Sequence, residues 1–397
     1  MDGEHVARGR GGIEVEPLDL GRRRDRHRFL DVSAPIYRGD PHYIEPLRLE
    51  RMRFLDVRRN AGLCDVEVHA LLARRGRTSV GRITAHIDHA YDRMHGAGTG
   101  WFGFFESIDD PDVAHALLAA ATRWLAAKGA REAIGPMSFN TNQQSGLLVE
   151  NFDRPPTVEM TYNPPYYERL ITSFGFAPLR DLYAWWIDHP DPLANPRVAR
   201  IARIAERVKR REGVTVRPIN MRRFAEECAM LFAIYNRAWR RNWGFVPINE
   251  AEVEHFARTM KPIGHPELVL ILEIGGRPVG FSLTLPDVNA ALPRNGRLLP
   301  FGWMTLLMGL RRIPHVRLIA LGIEPAYQRR GLESLLFVET ALRAHALGIP
   351  RGEIGWTLDD NVLINRAIQS MDGRLDRRYR LFRMSLAVVG EDDPRVS

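Results

Sequence analysis

A buried strand, a basic turn and an amphipathic helix follow one another in the second half of the chain. The strand Arg317–Ile323 leads through a short connection into Gln328–Glu333, where the helix opens. Free backbone N–H groups at a helix start, with the helix dipole behind them, bind phosphate groups. Arg329 and Arg330 add positive charge, and Gly331 lets a ligand approach the backbone closely. These residues predict a pyrophosphate-binding turn, and they leave open the alternative of a solvated helix start.

Two other groups of residues are less specific. The spacing His86-x-x-His89 has no third ligand nearby in the sequence, so it favours a structural role, and no metal is expected. Aromatic residues and arginines are interspersed in one segment, namely Tyr235, Arg237, Trp239, Arg240, Arg241, Trp243 and Phe245. This group suits RNA bases, the wall of a lipid-amine pocket, or a helix packed on a core. No nucleophile-elbow, Walker or Rossmann fingerprint accompanies a suitable strand.

One segment is apolar without interruption. Residues 298–310 carry no charge and are followed at once by Arg311 and Arg312. The segment is too short to span a bilayer as a helix. Trp303 and the terminal arginines are residue types that favour a headgroup boundary. The pattern leaves three alternatives: a buried core helix, the lining of an acyl channel, and a segment that enters the membrane surface.

Strands and helices alternate along the chain, which predicts an α/β fold. In the first half we expect strands at 65–72, 78–88, 101–106, 133–137 and 182–187, and helices at 111–129 and 166–174. In the second half we expect strands at 214–219, 268–274, 278–285, 317–323, 353–358 and 379–386, and helices at 198–211, 222–239, 250–259, 331–347 and 362–371. Asn163 and Asn361 each lie 12 residues before a helix-ending glycine, Gly175 or Gly373. The matched spacing predicts a tandem repeat, each copy a mixed twisted β-sheet flanked by α-helices.

Composition shifts predict the domain boundaries. Residues 1–28 end in a basic run and show no apolar periodicity, which predicts a mobile basic tail. The first domain then covers 29–190, and prolines with other turn formers near its end mark a linker. A basic linker helix is expected within 191–213, the second domain at 214–390, and a short tail at 391–397.

The overall composition is that of a globular protein, with 45% hydrophobic and 26% charged residues among 397. Its two cysteines exclude a disulfide scaffold and a thiolate zinc site, and they fit a reducing compartment. The chain has no spanning apolar run and no signal-like N-terminus, so a cytoplasmic protein is expected. The net charge of +8 favours anionic partners: nucleic acid, an anionic membrane face or a phosphorylated cofactor.

The basic turn resembles a known motif. Gln328, Gly331 and Glu333 occupy the defined positions of the pattern Q/R-x-x-G-x-G/A, with which the GCN5-related N-acyltransferase (GNAT) superfamily binds acyl-CoA. Glu333 departs from that pattern, where a small residue is usual. Four further phrases resemble the tandem GNAT proteins of the bacterial ceramide synthase-like group, at 103–106, 135–137, 162–167 and 242–247. The resemblance covers about residues 29–386.

The resemblance implies two tandem GNAT-like domains with an acyl-CoA site in the second. The residues implied to bind acyl-CoA are Leu321, Gly322, Ile323, Gln328, Arg329, Arg330, Gly331, Leu332, Glu333 and Asn361. In the first half the acidic segment 107–112 stands where a phosphate site should be basic. The first domain is therefore expected to be a degenerate copy.

The resemblance also implies that acyl transfer occurs where strands 317–323 and 353–358 diverge. Glu353 opens the second of these strands and is the candidate general base. The superfamily's frequent tyrosine acid is missing from 361–371, so no motif assigns the acid. Tyr379 on the last strand is the candidate acid on the strength of its phenol alone. The residues expected to contact the acceptor are Tyr235, Trp239, Asn242, Trp243, Phe245, Trp303 and Trp356.

The activity implied is transfer of a long acyl chain from acyl-CoA to the amine of a sphingoid base, in the cytoplasm or at the cytoplasmic face of the membrane. One rival is a small-amine N-acetyltransferase using acetyl-CoA, which predicts a short pocket. A second rival is a non-catalytic basic module that binds anionic lipid or nucleic acid. It predicts no dependence on CoA and binding that weakens steeply with salt. Of these partners, nucleic acid is not expected.

Overall fold

Contacts divide the chain into two compact units. The computed structural model describes residues 7–8 and 12–387, and the predicted tail 391–397 lies outside them. Unit 1 consists of the described residues of Met1–Pro155, Glu159–Asp181 and Tyr379–Ser397. Unit 2 consists of Pro156–Val158 and Leu182–Arg378.

Unit 1 contains a mixed sheet in which an antiparallel series leads into one parallel pair. Its strands are β1 (Ala7–Arg8), β2 (Ile13–Leu18), β3 (Val66–Arg75), β4 (Thr78–Asp88), β5 (Thr99–Ser107), β6 (Glu132–Gly135) and β7 (Leu147–Glu150). Strands β1 to β5 pair in sequence order as antiparallel neighbours, and β5 pairs with β6 in parallel. Its helices are α1 (Arg23–Leu30), α2 (Ser33–Ile36), α3 (Arg48–Phe54), α4 (His89–His95), α5 (Pro111–Ala127) and α6 (Tyr167–Phe174). Helices α5 and α6 share a core with one face of the sheet, and α1 and α3 share a core with the other.

Unit 2 repeats this arrangement. Its elements, together with the two strands that it shares along the chain with unit 1, are β8 (Ala177–Asp188), α7 (Pro196–Glu212), β9 (Val214–Pro218), α8 (Phe224–Ala238), α9 (Glu250–Met260), β10 (Val269–Ile274), β11 (Arg277–Pro286), α10 (Gly302–Leu310), β12 (Val316–Ile323), α11 (Leu332–Ala346), β13 (Arg351–Leu358), α12 (Val362–Ser370) and β14 (Arg374–Ser385). Strands β9 to β12 pair as antiparallel neighbours, and β12 pairs with β13 in parallel. Helices α7 and α11 share a core with one face, and α8 and α9 share a core with the other.

In each unit the sheet ends on a strand from the other half of the sequence. Residues 182–188 of β8 pair antiparallel with β13 in unit 2. Residues 379–385 of β14 belong to unit 1, where β14 pairs antiparallel with β6. The prediction ended the domains at 190 and 390, whereas the contacts divide the chain after Asp181 and after Arg378.

The predicted α/β class with tandem domains is confirmed. The predicted helices and strands are present within a few residues of their expected ends, because apolar periodicity and turn residues mark them clearly. For example, Asn195 caps α7 through hydrogen bonds from the next two backbone N–H groups, and Gly213 ends it in the left-handed region.

The prediction of a mobile tail is wrong for residues 12–28. Ile13 and Val15 are buried in the core of unit 1, and β2 pairs with β3 along its whole length. Helix α1 follows and buries Phe29 and Leu30. The basic run suggested a solvated tail, but only Arg22, Arg23 and Arg24 are exposed, whereas Arg26 is buried and pairs with Asp56 at 3.0 Å. The predicted linker helix is likewise part of unit 2, since α7 buries Val198 against the core that it shares with α11.

Candidate active site

The turn between β12 and α11 exposes backbone groups at the start of a helix. Arg329 and Gly331 have φ angles of +62° and +82°, so the chain turns through the left-handed region twice. Gly331 is the N-cap residue of α11, and no side chain caps this helix. The Gln328 amide donates to the carbonyl of Ile323 at 3.0 Å, which ties the turn to the end of β12. The N–H groups of the first helical turn are therefore available for an anion.

The arginines of this turn have different surroundings. Arg330 donates to Glu212 at 3.2 Å, and its carbonyl accepts from Arg211. Arg329 is exposed and forms no salt bridge with any residue that the structure describes. Glu333 is half-buried in the first turn of α11. The turn thus combines free N–H groups with one uncommitted guanidinium, which fits a pyrophosphate.

Strands β12 and β13 diverge next to this turn. They pair only at Val316, Arg317 and Leu318 of β12, opposite Gly352, Glu353 and Ile354 of β13. Leu321, Gly322 and Ile323 pair with β11 on their other side and have no pairing with β13 among the described residues. Backbone groups of β12 beyond the divergence can therefore bind an extended ligand between the two strands.

Glu353 lies beside the point of divergence and is buried, with 1% of its surface exposed. Its Oε1 accepts a hydrogen bond of 2.6 Å from the Thr157 hydroxyl and lies 3.6 Å from Nε of Arg317. Its Oε2 has no hydrogen-bond partner among the described residues. One oxygen of this carboxylate is thus fixed, and the other is an open acceptor.

A network that the sequence analysis missed surrounds Glu353. The Arg317 guanidinium donates to the carbonyls of Val158 at 2.5 Å and Gly355 at 2.9 Å. Asp287 accepts from the backbone N–H of Val158 at 2.7 Å and pairs with His315 at 2.6 Å. These residues lie far apart in the sequence. Their only sequence signal was Arg317 itself, a charged residue opening an otherwise apolar strand.

Comparison with known proteins identifies the family. No protein-family model matches the chain. The chain is 36% identical to Protein YghO of Escherichia coli strain K12 over 367 residues, which covers 91% of this chain and 93% of that protein. It is 35% identical over 369 residues to a protein of Caulobacter vibrioides named bacterial ceramide synthase, covering 90% of this chain and 94% of that protein. The chain belongs to the bacterial ceramide synthase-like family.

A solved structure supports the fold. A tandem GNAT protein from the clavulanic acid biosynthesis pathway matches with a TM-score of 0.58 at 12% identity, covering 96% of this chain and all of that one. The predicted GNAT resemblance and tandem arrangement are therefore confirmed. Membership of the family supports acyltransferase activity for the chain.

The described part of unit 1 has no open space at the position that corresponds to the divergence of β12 and β13 in unit 2. Strands β5 and β6 also stop pairing early, after Trp101 and Ile134. A Cβ at Gly103 would lie 1.7 Å from the Met137 carbonyl oxygen, so backbone fills the space beside β5. Met137 also donates to the Phe102 carbonyl at 2.9 Å.

The helix that follows β5 begins in acidic residues. Asp110 caps α5 and pairs with Arg75 at 2.6 Å, and Asp109 pairs with Arg169. The hydrogen bond from Arg75 is the main cause that lowers the pKa of Asp110, so this carboxylate stays charged at the helix start. Both features support the expectation that the first copy does not bind CoA.

Three of the residues that were predicted to contact the acceptor amine lie close together in unit 2. The rings of Tyr235 and Trp239 at the end of α8 lie 4.6 Å apart, and Phe245 lies 6.0 Å from Tyr235. Burial raises the pKa of the Tyr235 hydroxyl, which stays protonated at neutral pH. Asn242 forms the turn between them through its backbone, and Trp243 beside it is half-buried. Tyr235, Trp239 and Phe245 pack on the face of the β10–β12 sheet that carries α8 and α9.

Other predicted site residues lie elsewhere. Trp303 is exposed on α10, and Trp356 is half-buried on β13. The Asn361 side chain accepts from the backbone N–H of Ile364 and caps α12, which gives it a structural role. Tyr379 is fully buried and belongs to unit 1, whereas Glu353 belongs to unit 2. The acid role of Tyr379 and the ligand role of Asn361 stay predictions.

Helix α10 is apolar and exposed, so the alternative of a buried core helix for 298–310 is wrong. No residue of α10 is buried. Trp303, Leu307 and Met308 are 47%, 55% and 62% exposed. In the described part of the chain, no helix is long and apolar enough to cross a membrane.

The two spaced histidines have separate surroundings. His86 is fully buried beside Phe139, and burial lowers its pKa to about 3, so the ring is neutral at physiological pH. His89 is exposed and pairs with Glu67 at 3.1 Å. Among the described residues, no group of three potential ligands could hold a metal ion.

Proposed function

We propose that the protein transfers a long acyl chain from acyl-CoA to the primary amine of a lipid such as a sphingoid base. This proposal rests on three features of unit 2, namely the uncapped helix start at Gly331, the divergence of β12 and β13, and the buried carboxylate of Glu353 beside that divergence. The turn residues Gln328 to Glu333 would hold the pyrophosphate, and the backbone of Leu321 to Ile323 would hold the extended part of the substrate.

The chemistry of the step assigns a role to Glu353. The amine is an ammonium ion at neutral pH and must lose a proton before its nitrogen attacks the thioester carbonyl carbon. The open Oε2 of Glu353 takes that proton, directly or through one water. As the N–C bond forms, a backbone N–H of β12 stabilises the oxyanion. The C–S bond then breaks, the sulfur takes up the second proton that the nitrogen loses and leaves as a thiol, and Glu353 releases its proton to water. The amide and free CoA are the products.

A lipid acceptor is supported by two observations. The family includes a protein named bacterial ceramide synthase, and α10 presents an apolar surface such as a protein acting on lipids would use. The test is to incubate the full chain with a panel of acyl-CoAs and amines, following thiol release and identifying products by mass spectrometry. Amide formation with long-chain partners supports the proposal. Full activity only with acetyl-CoA and small amines, or no CoA-dependent product, contradicts it.

Helix α10 is expected to bind the cytoplasmic face of the membrane. Its exposed apolar side chains are flanked by exposed arginines, Arg294, Arg297, Arg311 and Arg312. Each basic residue near an anionic surface contributes about 1 kcal/mol, so the protein should float with anionic vesicles at low salt and dissociate at high salt. Trp303→Ser with Leu307→Ser should lower the recovery severalfold, because both side chains are exposed.

The matched control for this flotation experiment is Leu49→Ser with Leu193→Ser, which also removes two exposed apolar side chains. That variant should float like the wild type. Equal recovery with neutral and anionic vesicles would refute the electrostatic part of the proposal. Equal losses in the two double variants would refute the role of α10.

A further inference from the structure

A polar cleft in unit 1 is lined by an excess of arginines. Its volume is about 330 Å³, and its lining residues are Glu16, Arg24, Arg28, Arg74, Arg77 and Ser79. The cleft lies between α1 and the hairpin of β3 and β4, on elements that play no part in the site of unit 2. None of the described residues that line it is apolar, so the lining offers little contact to a hydrocarbon chain.

The carboxylates at the cleft do not balance its positive charge. Glu16 pairs with both Arg28 and Arg74, and Arg28 also lies 3.6 Å from Asp25. Arg24 and Arg77 are exposed and form no salt bridge with any described residue. Among the lining residues four guanidinium groups face one carboxylate, and this excess of positive charge is lowered by Asp25 beside Arg28 and by Glu14, which lies opposite Arg74 in the pairing of β2 with β3.

The backbone brings these arginines together from three separate elements. Arg24 and Arg28 are one helical turn apart on α1, where like charges repel. Arg74 and Ser79 face each other across the β3–β4 hairpin, and Arg77 lies in its turn. A bound anion would relieve the repulsion between these guanidinium groups, and Arg binds phosphate through two parallel hydrogen bonds.

We propose that this cleft binds a phosphate group, as a phosphomonoester or phosphodiester. Its volume lies at the small end of ligand sites, which suits a compact group such as glycerol phosphate. The same chemistry could come from a soluble phosphate compound or from the headgroup of a phospholipid. The proposal does not depend on the acyl-transfer activity, because every residue that it uses belongs to unit 1.

The first arm of the test uses soluble ligands. Titration calorimetry with inorganic phosphate and with glycerol 3-phosphate should show saturable binding to the full chain if the source is soluble. Arg24→Gln with Arg77→Gln should weaken that binding about tenfold or more, since charge-assisted hydrogen bonds are lost. Glu16→Gln should strengthen it, because it releases Arg28 and Arg74. A merely structural role of the cluster predicts no such gain.

The second arm uses vesicles of phosphatidylcholine with and without phosphatidate. Binding that needs phosphatidate and is lost in the Arg24/Arg77 variant assigns the cleft to a lipid headgroup. The matched control is Arg38→Gln with Arg53→Gln, which removes two exposed arginines elsewhere in unit 1. Trp303→Ser with Leu307→Ser separates the contribution of α10, and soluble phosphate binding should be unchanged in it.

The possible outcomes separate clearly. Saturable binding in either arm that is lost in the Arg24/Arg77 variant and kept in the Arg38/Arg53 variant supports the proposal. Absence of binding in both arms overturns it, and so does an equal loss in the two double variants, which would indicate non-specific attraction.

Discussion

Replacing Gly331 by aspartate should weaken acyl-CoA binding at least tenfold. The new carboxylate would stand at the N-cap of α11, where the pyrophosphate is expected, and would repel it. One lost charge-assisted hydrogen bond contributes about 1.5–3 kcal/mol, which is roughly a tenfold change or more. The fold should tolerate the change. A Cβ at Gly331 meets only Val208 at 3.5 Å, and although a φ of +82° strains any side chain, Asp and Asn adopt such angles most readily after Gly. Calorimetric titration with an acyl-CoA, in the absence of amine, measures the effect.

The matched control for this prediction is Gly331→Asn, which has nearly the same shape and tolerance of positive φ but no charge. It should lose less affinity than the aspartate variant, and the difference isolates the electrostatic contribution. Asp109→Asn at the corresponding place in unit 1 should leave acyl-CoA affinity unchanged, since its carboxylate pairs with Arg169. Unchanged affinity of the Gly331→Asp protein, with its circular dichroism intact, would disprove the assignment of the turn.

Local patterns predicted the elements of the fold well. The helix that begins at Pro111 and the strand at 78–88 were expected because proline, glycine and apolar periodicity mark them within a few residues. The strand β2 was missed, although Ile13 and Val15 alternate with Glu14 and Glu16. The neighbouring arginines dominated the charge pattern, and burial of so short a strand depends on its partner β3.

The division of the units could not be predicted from local patterns. The strand at 182–188 was predicted to be the last strand of the first domain. Its residues instead pair with β13, about 170 residues later in the sequence. The residues after Tyr379 likewise return to β6. Local periodicity identifies a strand but not its neighbour in a sheet, because pairing is decided by contacts between distant segments.

Those parts of the candidate site that come from one continuous segment could be predicted from the sequence. The turn around Gly331 is one continuous segment, and both its glycine and its helix start were visible in the sequence. The network around Glu353 is not local. Thr157 lies 196 residues before its partner Glu353, and Val158 lies 159 residues before its partner Arg317. No sequence spacing could have indicated that these residues are in contact. The alternation of the strand predicted which face of the sheet Glu353 lies on. Burial of that face depends on packing by distant segments, so it could not be predicted from the strand alone.

Replacing Glu353 by glutamine should lower kcat at least a hundredfold while leaving acyl-CoA affinity nearly unchanged. Glutamine keeps the shape of the side chain and can still accept from Thr157, but it cannot take a proton from the ammonium group. General-base catalysis contributes about 10²–10⁴ in rate. Single-turnover kinetics with saturating amine, together with calorimetry for acyl-CoA, separates the chemical step from binding.

The alternative role for Glu353 is to anchor residues 156–158, and Thr157→Val tests it directly. That change removes the hydrogen bond to Oε1 and leaves the carboxylate and its open oxygen in place. If Glu353 is the base, the valine variant should keep most of its turnover, and its pH–rate profile should have the shape of the wild-type profile. If Glu353 only anchors the segment, the two variants should lose turnover equally. Melting temperatures identify any loss that comes from unfolding, because the glutamine variant leaves the buried Arg317 without its carboxylate. Near-normal turnover of the Glu353→Gln protein from about pH 6 to about pH 9 would assign the base to another group or to a water chain.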